Sequence, residues 1–141
     1  MTAPVHLPTE VIVLIVLFVA ADDRFPLSRQ RSLHACCLVS RQWSSAAISF
    51  LYENPQIGSG LAFKKFTETV SPPIAARKSK WNLGAFVRRL DLSGLVHNSS
   101  NSLTARLLGR VKENLEVFIA PRFSFAYAPA VSLFIPSCIL T

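Results

Sequence analysis

The stretch Leu7-Pro8-Thr9-Glu10-Val11-Ile12-Val13-Leu14-Ile15-Val16-Leu17-Phe18-Val19-Ala20-Ala21 decides the reading of this chain, because after Glu10 it offers eleven consecutive apolar residues and no polar face. A helix of that kind is covered by a large core, by lipid, or by its own domain on one flank and a partner on the other. With 141 residues the chain has room for one domain, or for one small module and part of another, and small domains leave much of their surface exposed. Internal burial of the whole helix is therefore hard to arrange. Half of the residues are hydrophobic and 16% are charged, a globular and rather oily composition far from that of a disordered chain.

Lipid is excluded as a span, since crossing a bilayer takes roughly 17 to 25 apolar residues and His6 and Glu10 interrupt the run upstream. A cleavable leader is the closer rival, with residues 1–21 removed after the small-residue exit Val19-Ala20-Ala21, leaving a small secreted protein. Against it, no Lys or Arg precedes the run and Glu10 does, the reverse of the charge such leaders carry. Cys36 and Cys37 are adjacent and Cys138 lies near the end; this odd set without CxxC spacing reads as small apolar core residues in a reducing compartment.

Local signals mark three helices. Pro8 suits a first helical position and Glu10 sets a carboxylate beside the positive helix end, while Asp22, Asp23, Arg24 and Pro26 close the run. Ser28 is a ready cap for a second helix through Leu33, Cys36 and Cys37, ending near Val39. Ser40 then caps a third, whose Trp43, Ala46, Ala47, Phe50 and Leu51 fall on one face, the alanines allowing close approach of a neighbour.

At these residues the chain resembles a known family. Leu7-Pro8-x-Glu10-Val11, then Ile15, then Leu33-x-x-Cys36-x-Leu38-Val39-Ser40-Arg41-x-Trp43, closing with Ala47 and Leu51-Tyr52, is similar to an F-box over residues 7–52. The longer link from Ala21 to Arg31 resembles the spacing in F-box-like proteins of fungi. The resemblance implies a mainly α, three-helix module over residues 1–52 that docks on the Skp-type adaptor of SCF (Skp, cullin, F-box) ubiquitin ligases. It further implies an intracellular protein, in cytoplasm or nucleus, that is not an enzyme and holds an unknown protein substrate through its downstream part. By position, Leu7, Pro8, Val11, Ile12, Ile15, Leu38, Val39 and Trp43 match motif sites that form or support the adaptor-binding face.

Residues 53–85 read as a basic linker: Asn54-Pro55, Gly58-Ser59-Gly60 and Ser71-Pro72-Pro73 interrupt it, with a short helix between around Leu61 to Val70. With its border it carries Lys64, Lys65, Arg77, Lys78, Lys80, Arg88 and Arg89, interleaved with Phe63, Phe66, Trp81 and Phe86. In a chain of net charge +7 this is the composition of a single-strand nucleic-acid surface, though no helix-turn-helix, zinc-finger or RNP-like pattern accompanies it. A solvated basic face is the plainer reading.

Residues 86–141 suggest a short α+β fragment. Phe86 to Gly94 alternates as a strand, Asn98 to Ser102 is a polar loop, Leu103, Leu107, Leu108 and Val111 have helical spacing, and Leu115 to Ile119 reads as another strand. Val87-x-x-Leu90-x-Leu92 and Leu115-x-Val117-Phe118 resemble the opening of an incomplete leucine-rich-repeat region, repeating at ~20 to 29 residues. A solenoid needs about three repeats, and Phe123 to Thr141 is apolar with no polar cap; truncation of a longer chain is the expectation. His6, His34 and His97 stand far apart, and neither a metal spacing, a glycine-rich phosphate loop nor a nucleophile motif is present. No catalytic, metal or cofactor residue is assigned.

Overall fold

A computed structural model of the chain describes residues 6–73, 81–95 and 101–121. These residues are mainly helical, with five α-helices and two short parallel strands. The chain divides into two compact units, Met1–Gln56 and Ile57–Thr141.

In the first unit, helix α1 spans Thr9–Ala20, α2 Pro26–Val39 and α3 Arg41–Glu53. Pro8 sits one step earlier than expected, at the cap, where its carbonyl accepts from the backbone N–H of Val11 and Ile12 at 3.1 and 3.2 Å. At the other end Arg29 donates to the Ala20 carbonyl and to Asp23 Oδ1, both at 3.2 Å. A guanidinium thus meets the negative end of α1.

Helix α2 corrects the sequence reading. Pro26 does not merely close α1; it opens α2 in the first turn after Phe25, ahead of the expected Ser28 cap. Proline lacks only an N–H that a first-turn residue leaves free, and its fixed φ suits the helix. The expected Ser40 cap of α3 is present, its Oγ accepting from the Trp43 N–H at 3.3 Å; loss of such a cap costs about 1 kcal/mol.

The three helices pack on one another pairwise, α2 against α3 most extensively. Ile12 and Val16 of α1, Leu33 of α2 and Ala47 of α3 form the buried core, with Cys36, Cys37, Trp43, Ala46, Phe50 and Leu51 against it. The alanine at position 47 is what lets α3 come close.

In the second unit, α4 spans Gly60–Val70, a 3-10 turn Leu83–Phe86, strand β1 Arg89–Asp91, α5 Asn101–Val111 and β2 Val117–Ile119. Helix α4 lies inside the stretch read as a linker. It is capped by Ser59, whose Oγ accepts from Ala62 N–H at 3.2 Å, and it buries Phe63, Thr67 and Val70. It is the short helix expected around Leu61 to Val70, and it packs against α5 and the 3-10 turn.

The expected strand Phe86 to Gly94 is shorter, because Val87 N–H closes the 3-10 turn onto the Gly84 carbonyl at 3.3 Å and only Arg89–Asp91 joins the ladder. Strands β1 and β2 are parallel, with Arg89 opposite Val117, Leu90 opposite Phe118 and Asp91 opposite Ile119. Val87, Leu90, Leu92, Leu107 and Val111 are fully buried between these elements. The expectations for Asn98 to Ser100, for Arg77, Lys78 and Lys80, and for Phe123 to Thr141 lie outside the described residues.

Candidate functional site

Helix α1 has more apolar surface than its own unit covers. Ile12 and Val16 are buried, at 1% and 0% exposure, and Val19 and Ala20 pack beside them. On the opposite side Phe18 is 83% exposed and Leu14 65%, flanked by Val11, Ile15 and Leu17, all exposed. Positions 11, 14, 15 and 18 share one helix face by their three-and-four spacing. Burying a side chain such as leucine or phenylalanine is worth ~1.5 to 3 kcal/mol, so this arc leaves a substantial hydrophobic contribution unrealised until something covers it.

The arc is continued at its N-terminal end by residues the fold brings in from elsewhere. Gln42 Nε2 at the start of α3 donates to Thr9 Oγ1 at 2.8 Å and to the Leu7 carbonyl at 3.4 Å. These bonds hold the Leu7-Pro8 opening beside the α2–α3 corner, where Leu38 is 73% exposed and Val39 also stands clear. Leu7 and Pro8, thirty or more positions from Leu38 and Val39 in sequence, thus flank one corner with them.

Of the eight residues singled out by motif position, Leu7, Pro8, Val11, Ile15, Leu38 and Val39 are exposed. The other two are not. Ile12 is a core residue, and Trp43 is half-buried against the core; both hold the face from beneath rather than presenting it. Leu14 and Phe18, the most exposed apolar side chains of α1, are not among the motif positions. Inside an uninterrupted apolar run no polar residue marks which side faces out, so periodicity has no phase to report.

Burial, with the neighbouring Cys36 adding to it, pushes the Cys37 thiol up, away from the reactive thiolate. Burial likewise raises the Tyr52 phenol. Among the described residues no group of three or more His, Cys, Asp or Glu is placed to hold a metal, and no helix is long and apolar enough to cross a membrane. An open hollow of about 650 Å³ lies at the α1–α2 link, lined in part by Phe25, Leu27, Arg31 and Gln56.

The aromatics of the basic stretch are not arrayed for stacking. Phe63 is buried, Phe66 and Phe86 are half-buried, and of the four only Trp81 is exposed.

No family model matches the chain, and no solved structure matches it. Over 96 residues, 68% of its length, the chain is 40% identical to F-box protein YDR306C of Saccharomyces cerevisiae. The matched part spans about a fifth (19%) of that relative. With the exposed arc of α1 and the Leu7-Pro8 and Leu38-Val39 corner in place, this similarity supports an F-box protein.

Proposed function

We propose that residues 7–52 are the docking module of an F-box protein, which binds a Skp-type subunit of an SCF ubiquitin ligase and links it to a substrate protein for ubiquitination by other subunits. The observation that carries this reading is the exposed apolar arc of α1, which its own unit leaves uncovered. Val11, Leu14, Ile15 and Phe18 make the contact along the helix, and Leu7, Pro8, Leu38 and Val39 extend it at the corner. Ile12 and Trp43 fix the positions of these groups from the core side. Such a protein acts as an adaptor, not an enzyme, and works inside the cell, in cytoplasm or nucleus.

The second unit, in this reading, opens a leucine-rich-repeat-like region that presents the substrate. Support comes from the strand register: Arg89 pairs with Val117, 28 positions on, and the same step carries Val87, Leu90 and Leu92 onto Leu115, Phe118 and Ala120. The first set is fully buried and the second only half-buried, as expected of successive rungs in which each covers the one before.

Co-purification with a Skp-type protein tests the docking module, comparing wild type with a Leu7→Ala, Pro8→Ala double variant and with Trp43→Ala. Both variants are expected to lose binding; because Trp43 packs on the core, circular dichroism of that variant separates misfolding from lost contact. Undiminished binding in both contradicts the assigned face.

A further inference from the structure

The net charge is confined to one unit. Residues 1–56 hold Arg24, Arg29, Arg31 and Arg41 against Glu10, Asp22, Asp23 and Glu53, so the first unit is neutral. The other eleven Lys and Arg stand in the second unit against Glu68, Asp91, Glu113 and Glu116, and this unit carries the whole +7.

Among the described residues of the second unit the cations are exposed and largely unpaired. Lys64 and Lys65 on α4, Arg89 on β1, and Arg106, Arg110 and Lys112 on and just after α5 are all exposed. The ion pair of this unit among the described residues joins Arg88 to Glu116 at 2.7 Å. Asp91 is engaged locally, accepting from the Ser93 hydroxyl at 2.6 Å and its N–H at 2.9 Å. Helices α4 and α5 pack on each other, and together they carry four of these cations against one acid, Glu68. Such a surplus of one sign steers oppositely charged partners and suppresses basic ones.

We propose that the second unit binds an acidic polypeptide segment, rich in Asp and Glu, through the cationic surface of α4 and α5. Carboxylates suit it better than a nucleic acid strand, since single-strand binding draws on aromatic stacking platforms and Phe63 is buried while Phe66 and Phe86 are half-buried. The inference deepens the substrate-presenting role given to this unit above and names the chemistry of what it holds.

The test uses the full chain without any adaptor protein, so that failure here is distinct from failure of docking on the Skp-type subunit. Binding of a synthetic Asp/Glu-rich peptide and of a single-stranded oligonucleotide of equal formal charge is titrated at low and high salt. Tighter binding of the peptide, weakening with salt, is expected. Lys64→Glu/Lys65→Glu and Arg106→Glu/Arg110→Glu are each expected to weaken it about tenfold, whereas Arg31→Glu in the neutral unit leaves it unchanged. Equal loss in the Arg31→Glu variant, no loss in either double variant, absence of peptide binding, or tighter binding of the oligonucleotide would each overturn the proposal.

Discussion

Helices α1 and α4 are nearly equal in length, 12 and 11 residues, yet they spend their apolar side chains differently. Helix α4 turns Phe63 and Val70 inward with Thr67, whose hydroxyl is satisfied by the Phe63 carbonyl at 2.9 Å, and sets Lys64, Lys65 and Glu68 outward. Most of its apolar side chains are covered within its own unit, with Leu61 in the first turn the one large apolar residue of the helix left exposed. Helix α1 buries Ile12 and Val16 and leaves Leu14 and Phe18 in water. The difference teaches that hydrophobicity beyond what a unit covers is information about another molecule, not about the fold.

Two aromatic truncations break this comparison most sharply. Phe63→Ala is expected to destabilise the second unit by about 3 to 5 kcal/mol, the usual cost of emptying a phenylalanine site in a core. Phe18→Ala is expected to change stability by no more than about 0.5 kcal/mol, although it removes the same group from a similar helix. Chemical denaturation of both variants checks the pair. A large loss of stability in Phe18→Ala would mean that α1 is covered by its own chain after all.

A smaller effect probes how tightly α5 and the 3-10 turn meet in the second unit. A Cβ at Gly84 would lie 2.8 Å from the Arg110 carbonyl oxygen, a backbone atom with little room to yield. Gly84→Ala is therefore expected to cost about 1 to 3 kcal/mol in urea denaturation, while Gly58→Ala and Gly60→Ala meet open space and cost far less.

The smallest effect is electrostatic. The Ser93 hydroxyl, helped by the Ser93 N–H and the Arg89 charge against some desolvation, holds the Asp91 carboxyl below its ordinary value. A depressed folded-state pKa contributes stability that is present above the unfolded-state value and is lost as pH falls through the folded one. Wild type should therefore lose slightly more stability than Asp91→Asn on acidification below the usual aspartate range, measured by denaturation midpoints. Parallel loss in the two proteins contradicts this role for Asp91.

Much of the first unit was legible in the sequence because its signals are local. Pro8, Glu10 and Asp22 bracket α1, and Ser40 three residues ahead of Trp43 announces α3 through a single side-chain bond. Pro26 was misread because proline both ends one helix and begins the next, and only the path of the chain decides between them. Of the exposed apolar residues of the first unit, Leu7, Pro8, Leu38 and Val39 were legible as motif positions. Leu14 and Phe18 were not, since a run apolar on all sides carries no phase, and for the same reason the motif left open whether Ile12 forms or supports the face. In the second unit, composition placed Phe63 among charges without telling that it points inward. The three-residue length of β1 depends on a 3-10 turn and a partner strand distant in sequence.

We propose docking of a Skp-type protein on the uncovered arc of α1. Its most direct test is the affinity of the full chain for that protein, measured by titration calorimetry for wild type and for Leu14→Asp/Phe18→Asp, with circular dichroism to establish that both are folded. If the arc is the contact, the double variant retains its helices and binds about thirtyfold more weakly or worse, the loss of ~2 kcal/mol or more typical of buried anchors. A folded variant that binds as tightly as wild type contradicts the account.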